Sequence, residues 1–184
     1  MKKTLKLFSL FTIISVVAFF TACDEVTDLA DVKFDANLSK DVDVTSASET
    51  LKGDSLYSFE GSELIDPRED DDINKYWDLI KSWEIKKVVI TIKSIDEPAH
   101  LDNMELSLVD NNTQDSLFSY SVNNVELEEG TKVLEVNQAD WNNIINALNE
   151  KHKIMASLSG AVEKPSLNIV FKVSLSTKIT ANPL

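Results

Sequence analysis

LNIVFKVSL, residues 167–175, is the most regular stretch of this sequence, with an apolar residue at every second position. A β-strand points successive side chains to opposite faces, so this alternation predicts a strand with one face in a core and one in water. Ile179 continues the pattern beyond Leu175. We therefore expect a long amphipathic strand late in the chain.

Similar alternation recurs through the sequence, and polar or glycine-containing turns separate the segments. Residues 84–95 differ from the rest, because they are rich in β-branched residues and apolar on both faces, as expected for a strand in the middle of a sandwich. Eight or nine short strands predict an antiparallel β-sandwich, immunoglobulin-like in the broad sense. The other predicted strands lie at 32–38, 42–44, 55–59, 104–108, 117–122, around 127 and 133–136, and at 154–158.

Two short helices are predicted between the strands. Apolar residues recur at helical spacing over 73–83, with Asp72 placed to cap the helix. A second helix is expected after Asn137, with Asp140 in the capping-box position and an apolar face that includes Trp141 and Leu148.

The start of the chain has the pattern of an export signal. Three lysines at positions 2, 3 and 6 precede an apolar run, and the small residues Thr21 and Ala22 stand directly before Cys23. Residues 20–23 resemble a bacterial lipobox, although Phe20 stands where Leu is usual. The resemblance implies a signal peptide over 1–22 and fatty acyl chains, such as palmitate, on Cys23. A lone cysteine in an exported chain otherwise lacks a disulfide partner.

Acidic residues follow the cysteine, in a segment that we expect to be a tether over 23–30 before a sandwich domain over 31–184. The chain is similar in style to small lipoproteins of the Bacteroidetes, in which such acids mark export to the cell surface. This resemblance implies anchorage in the outer membrane, on its outer face, with the periplasmic face as the alternative. Acyl chains contribute about 0.8 kcal/mol for each buried methylene, so two or three would hold the protein durably.

The net negative charge of the chain limits the classes of partner that it can bind. Removal of residues 1–22 leaves 15 basic residues against 31 acidic ones, a net charge of about −16. Nucleic acid and anionic lipid head groups repel such a chain, whereas cations and basic partners are attracted. We therefore expect no nucleic-acid partner, and contact with the membrane through the lipid alone.

No motif for catalysis or cofactor binding is evident, and we expect no cofactor, no metal and no enzymatic activity. His100 and His152 are far apart in sequence, and the only cysteine is assigned to lipid. The acidic runs at 69–72 and 110–115 lack EF-hand spacing, and caps and turns explain them, although the sequence leaves Ca²⁺ binding open.

The three tryptophans are the candidate residues for ligand contact. Trp77, Trp83 and Trp141 share helical spacing with isoleucines, which favours core packing. Trp83 is the exception that we single out as a possible ligand-binding residue, because it is predicted at a helix end where part of the ring would be exposed.

Three classes of function remain. The first is a lipid-anchored binding or accessory module that recognises a protein or a glycan. The second is a structural, fimbria-like subunit that assembles by strand addition. The third is a carbohydrate-active hydrolase, which would need a cleft with two converged carboxylates.

Overall fold

The protein is described here by a computed structural model covering residues 31–50 and 55–183. Two four-stranded sheets pack face to face around one hydrophobic core, and two short helices connect strands at one side. The antiparallel β-sandwich expected from the sequence is confirmed. The strands are β1 Val32–Thr45, β2 Tyr57–Ile65, β3 Ile80–Ile95, β4 Ala99–Asp110, β5 Ser116–Leu127, β6 Lys132–Val136, β7 Ile154–Val162 and β8 Asn168–Ala181; the helices are α1 Asp71–Tyr76 and α2 Asn142–Asn149.

The first sheet has the strand order β1-β8-β3-β6, and the second has the order β2-β7-β4-β5. All neighbouring strands are antiparallel. The long amphipathic strand predicted from residues 167–175 is β8, which lies between β1 and β3. Val32 of β1 and Ile80 of β3 both pair with Ala181, so these three strands share one end of the sheet.

The core forms where the inward-facing residues of the two sheets meet. Phe171 of β8 is fully buried and stacks on Phe59 of β2, with ring centroids 5.7 Å apart. Leu106 and Leu108 of β4 are also fully buried. Full burial of such a side chain stabilises the fold by about 1.5–3 kcal/mol relative to exposure, so the alternation in the sequence supplies the main driving force for folding.

Two predicted strands at the start of the domain are one strand in the structure. β1 runs without interruption through residues 39–41, because every residue from Val32 to Thr45 pairs with β8. The weaker strand predicted at 55–59 begins at Tyr57 and continues past Gly61 to Ile65.

The helix predicted over 73–83 is wrong for its second half. Helix α1 ends at Tyr76, a short 3-10 turn follows, and β3 begins at Ile80. The N-cap is Asp70 rather than Asp72, since the Asp70 carboxylate accepts hydrogen bonds from the backbone N–H of Asp72 and Ile73. Strand pairing with β8 therefore overrides the helical spacing of the sequence.

The second helix begins later than predicted. Helix α2 starts at Asn142, and its first backbone N–H bonds the carboxylate of Asp140, not Asn137. Its apolar face is as expected, because Ile144 and Leu148 are fully buried or nearly so.

The two sides of the sandwich differ. On one side, β1 and β2 approach closely: a Cβ placed on Gly61 would lie 2.8 Å from the carbonyl oxygen of Asp43, and only glycine permits this contact. On the other side lie the edge strands β5 and β6, with α2 packed against β3 and β5.

Candidate binding surface along strand β5

Strand β5 is an edge strand that pairs with β4 alone among the described strands. Its residues 117–123, LFSYSVN, contain no charge, no proline and no glycine. From position 119 to position 126 no residue is fully buried on either face. We call residues 117–123 the β5 edge.

The other three edge strands are protected in ways that the β5 edge is not. Strand β1 has five charged residues along its length, and strand β6 is only five residues long. Strand β2 lies against β1, so that Ala47 and Ser58 share a backbone hydrogen bond of 2.8 Å. Charges, short length and covering segments are the usual defences against unwanted strand pairing. Among the described edge strands, only the β5 edge has neither charge nor short length to protect it, although α2 packs against part of β5.

Three aromatic rings, Phe118, Tyr120 and Trp141, form an aromatic cluster beside the β5 edge. Phe118 lies between the other two, with centroid distances of 6.2 Å to Tyr120 and 5.3 Å to Trp141. Tyr120 is 44% exposed, one of two large hydrophobic residues that are exposed in the described part of the chain. The cluster therefore offers an apolar contact surface at the open side of the sandwich.

The outer face of the second sheet is lined by small polar side chains. One row across the strands contains Glu60, Ser159, Glu105 and Ser121. A depression of about 310 Å³ lies between β4, β5 and β7 on this face, and its walls include Glu105, Ser121 and Asn123. The hydroxyl of Ser119 donates a hydrogen bond of 2.8 Å to Glu105.

Charge is divided unequally between the two sheets. The strands of the first sheet contain nine lysines against five acidic residues. The strands of the second sheet contain six acidic residues and no lysine or arginine. The surface around β5 is consequently acidic, although the β5 edge itself is neutral.

The ends of β5 carry acidic residues. Asp115 precedes the strand, Glu126 lies near its end, and Glu128 and Glu129 follow it. With Glu105 alongside, we call these five residues the acidic rim. In the described part of the chain, only Glu126 of the five forms an ion pair. The negative charge of the rim is therefore largely uncompensated by basic side chains of the described residues.

The two histidines are placed on different strands and do not meet. His100 lies on β4 with Nδ1 2.8 Å from Oε1 of Glu126, and this hydrogen bond raises the pKa of His100. His152 lies before β7, with Nδ1 2.7 Å from Oδ2 of Asp110. Each histidine therefore has its own carboxylate partner.

The acidic runs act as caps and turns. Asp110 accepts hydrogen bonds from the backbone N–H of Asn112 and Thr113, which forms the turn expected after β4. Asp66 caps the 3-10 turn at Pro67–Glu69. Within residues 31–50 and 55–183, no group of three or more His, Cys, Asp or Glu side chains could hold a metal ion.

Trp83, the residue singled out for ligand contact, is not at a helix end. It lies on β3, pairs with Ile179 and is 5% exposed, so the expected partial exposure is wrong and almost no ring surface is accessible. Trp77 and Trp141 are half-buried, as predicted for residues that pack on the core.

Cys23 and the whole of residues 1–30 lie outside the described residues. No helix in the described ranges is long and apolar enough to cross a membrane.

Sequence reasoning did not identify Phe118 and Tyr120 as surface residues. Their strand was predicted, but the alternation suggests that both rings face a core. One feature of the sequence could have indicated this exposed edge. Residues 117–123 have no charged residue, in a chain in which 27% of residues are charged.

Comparison with known proteins gives no functional assignment. No family model matches the chain, and no curated protein matches it. Among solved structures, the decameric BFDV capsid protein superposes with a TM-score of 0.37 and 9% identity, over 80% of this chain and 99% of that one. The semi-empty particle of the Macrobrachium rosenbergii nodavirus gives 0.35 and 7%, over 83% and 96%. Desmodium yellow mottle tymovirus gives 0.34 and 11%, over 83% and 90%. Likenesses this weak carry no functional argument.

Proposed function

We propose that this chain is a lipid-anchored, non-enzymatic binding module of the bacterial cell envelope. In this proposal Cys23 carries the acyl chains, residues 23–30 are the tether, and the sandwich is displayed at the outer membrane, on its outer face. The lipobox pattern before Cys23 supports the anchor. The periplasmic face of that membrane is the alternative location.

The observation that carries the binding role is the uncovered β5 edge with its aromatic cluster. Nearly every other large hydrophobic side chain of the described residues is buried or half-buried, so the exposed ring of Tyr120 beside a neutral strand edge is an exception. Exposed apolar surface with a polar rim is typical of interaction sites.

Mass spectrometry of the protein purified from its native membrane tests the anchor. We expect a mature chain that starts at Cys23 and carries acyl chains, with membrane release in the Cys23→Ser variant. Ser15→Ala is the matched control, since it alters one side chain of the apolar run and leaves the thiol. A free thiol on Cys23, or a different first residue, would refute the anchorage.

Protease treatment of whole cells then distinguishes the two faces of the membrane. Digestion of the domain in intact cells is expected for the outer face, whereas protection that is lost on cell lysis would place the domain in the periplasm. An antibody against the folded domain gives an independent readout on the same cells.

The unpaired β5 edge also favours a second candidate, a structural subunit that joins copies by strand addition. That function predicts stable oligomers of the extracted protein, linked through β5. The binding module predicts a monomer at high concentration, so sedimentation analysis of detergent-extracted protein separates the two.

A further inference from the structure

The β5 edge has the features of a strand that is completed by another chain. An edge strand exposes a row of unpaired backbone N–H and C=O groups that can pair with an added strand. Residues 117–123 contain one β-branched and two aromatic residues, with no charge and no proline, a composition that favours pairing. The remaining edges are blocked by charge, short length or the neighbouring strand, so pairing is directed to this edge.

A second copy of this chain fits the edge poorly. If two copies paired antiparallel about Ser121, Asp115 of each would lie opposite Leu127 of the other, between Glu126 and Glu128. No carboxylate is directly opposite another in this register, but like charges brought close together at the end of a strand pair repel one another. Both ends of such an interface would have this repulsion, and the absence of basic residues from the second sheet leaves nothing on its strands to offset it.

The acidic rim that repels a second copy would attract a basic partner. The acidic rim lies at both ends of the β5 edge and beside it, and four of its five carboxylates form no ion pair with the described residues. Lysine or arginine side chains on an added strand would reach the rim carboxylates at the ends of β5, because adjacent strands lie about 4.8 Å apart. Glu105 lies one strand further away, on β4. Complementary charge of this kind raises the rate of association and fixes the orientation of the partner.

We propose that the β5 edge docks an extended, basic peptide segment of a protein partner, which joins the second sheet as a fifth strand. This proposal rests on the proposed binding role and names its class of partner. Side chains of the added strand alternate between the two faces. On the inner side they contact the aromatic cluster, and on the outer side they lie beside Ser119 and Ser121 of β5.

Fluorescence anisotropy with synthetic peptides and the purified full-length chain tests this docking. The probe is a labelled ten-residue peptide that alternates lysine and valine. A matched peptide has glutamate in place of each lysine, and a third has proline at two central valine positions. We expect the lysine peptide to bind at least about tenfold more tightly than the other two, and increased salt to weaken it roughly tenfold.

Two protein variants locate the binding site. Ser121→Lys puts a positive charge at the centre of the β5 edge, and we expect it to weaken binding of the lysine peptide at least about tenfold. Ser62→Lys is the matched control, because it adds the same charge to an exposed serine of the opposite edge strand of this sheet. Its affinity should remain within about twofold of the original. Hydrogen exchange should show new protection of amides in residues 117–123 when the lysine peptide is bound.

Four results would overturn the proposal: no binding of the lysine peptide, equal binding of the glutamate or proline peptide, equal effects of both variants, or protection outside β5. Dimerisation of the unliganded chain that Ser121→Lys abolishes would also overturn it, in favour of a second copy at this edge. These measurements do not depend on the lipid. Failure of docking is therefore distinguishable from failure of the anchor, which mass spectrometry of Cys23 reports separately.

Discussion

The Nδ1 atom of His152 lies 2.7 Å from the Oδ2 atom of Asp110, a carboxylate that is almost completely buried beneath the β4–β5 turn. The same carboxylate accepts two backbone hydrogen bonds of its turn, from Asn112 and Thr113. Burial raises the pKa of Asp110, but the hydrogen bonds from His152 and the backbone outweigh it, and the pKa is lowered overall. The ionised carboxylate is thus the form that the folded state requires.

We predict that Asp110→Asn destabilises the domain by about 2–3 kcal/mol, because it removes a buried charge from a network that satisfies it. Urea denaturation at neutral pH measures the loss. Asp115→Asn, at the exposed end of the same turn, is the control and should change stability by less than about 0.5 kcal/mol. An equal effect of both substitutions would contradict the structural role of Asp110.

The lowered pKa of Asp66 predicts that the stability of the domain depends on pH. Burial raises its pKa, but hydrogen bonds from Lys153 and Arg68 lower it more, to about 2. A carboxylate with a lowered pKa stabilises the folded state above its unfolded pKa of about 4, and this contribution is lost as pH falls through the folded value. Since Arg68 is 49% exposed, we expect a contribution of about 1–2 kcal/mol at pH 7.

The test compares Asp66→Asn with the original protein at pH 7 and near pH 2. The difference in free energy of unfolding should be largest at pH 7 and should shrink towards pH 2. A difference that stays constant across this range would show that the ionisation of Asp66 does not stabilise the fold.

Gly160 is required by a close contact between β7 and β4. A Cβ at this position would lie 2.3 Å from the carbonyl oxygen of Asn103 and 2.7 Å from the ring of Phe59. Gly160→Ala should therefore cost about 1–3 kcal/mol through overpacking. Ser159→Ala, at the exposed neighbouring position, should have little effect, and thermal unfolding of the two variants provides the comparison.

The pKa of His100 should depend on Glu126. Their hydrogen bond raises the pKa of His100, so the protonated form is favoured in the folded state. The resulting stabilisation is present below the unfolded pKa of about 6.5 and is lost as pH rises through the folded value. Glu126→Gln should lower the pKa of His100 in an NMR titration. Glu163→Gln, which removes a weaker electrostatic contribution to the same histidine, should lower it less.

Much of the fold follows from local periodicity. The strand at 167–175 was predictable because it is central in its sheet, buried on one face and free of bulges in its pairing with β1. The helix predicted over 73–83 was wrong for its second half because the pairing of β3 with β8 is not regular there. A bulge between Ile80 and Ser82 shifts the phase of the strand, so Ile80 and Trp83 have helical spacing although both are in β3.

The candidate site could not be predicted in the same way, because it depends on strand order. The alternation around Phe118 and Tyr120 is the same whether β5 lies in the middle of a sheet or at its edge. Only the pairing of β5 with β4 alone leaves these rings partly uncovered. Strand order is a long-range property, and a single sequence does not encode it in any local pattern.

The pairing of Val32 with Ala181 brings the first and last described strands to the same end of the sandwich. If the chain is anchored through Cys23, this end faces the bilayer, and an affinity tag or reporter added after residue 184 would be held close to the lipid surface. The connections at 96–98, 128–131 and 163–167 lie at the opposite end, pointing away from the cell or into the periplasm. Labels for imaging or capture would therefore be most accessible in those connections.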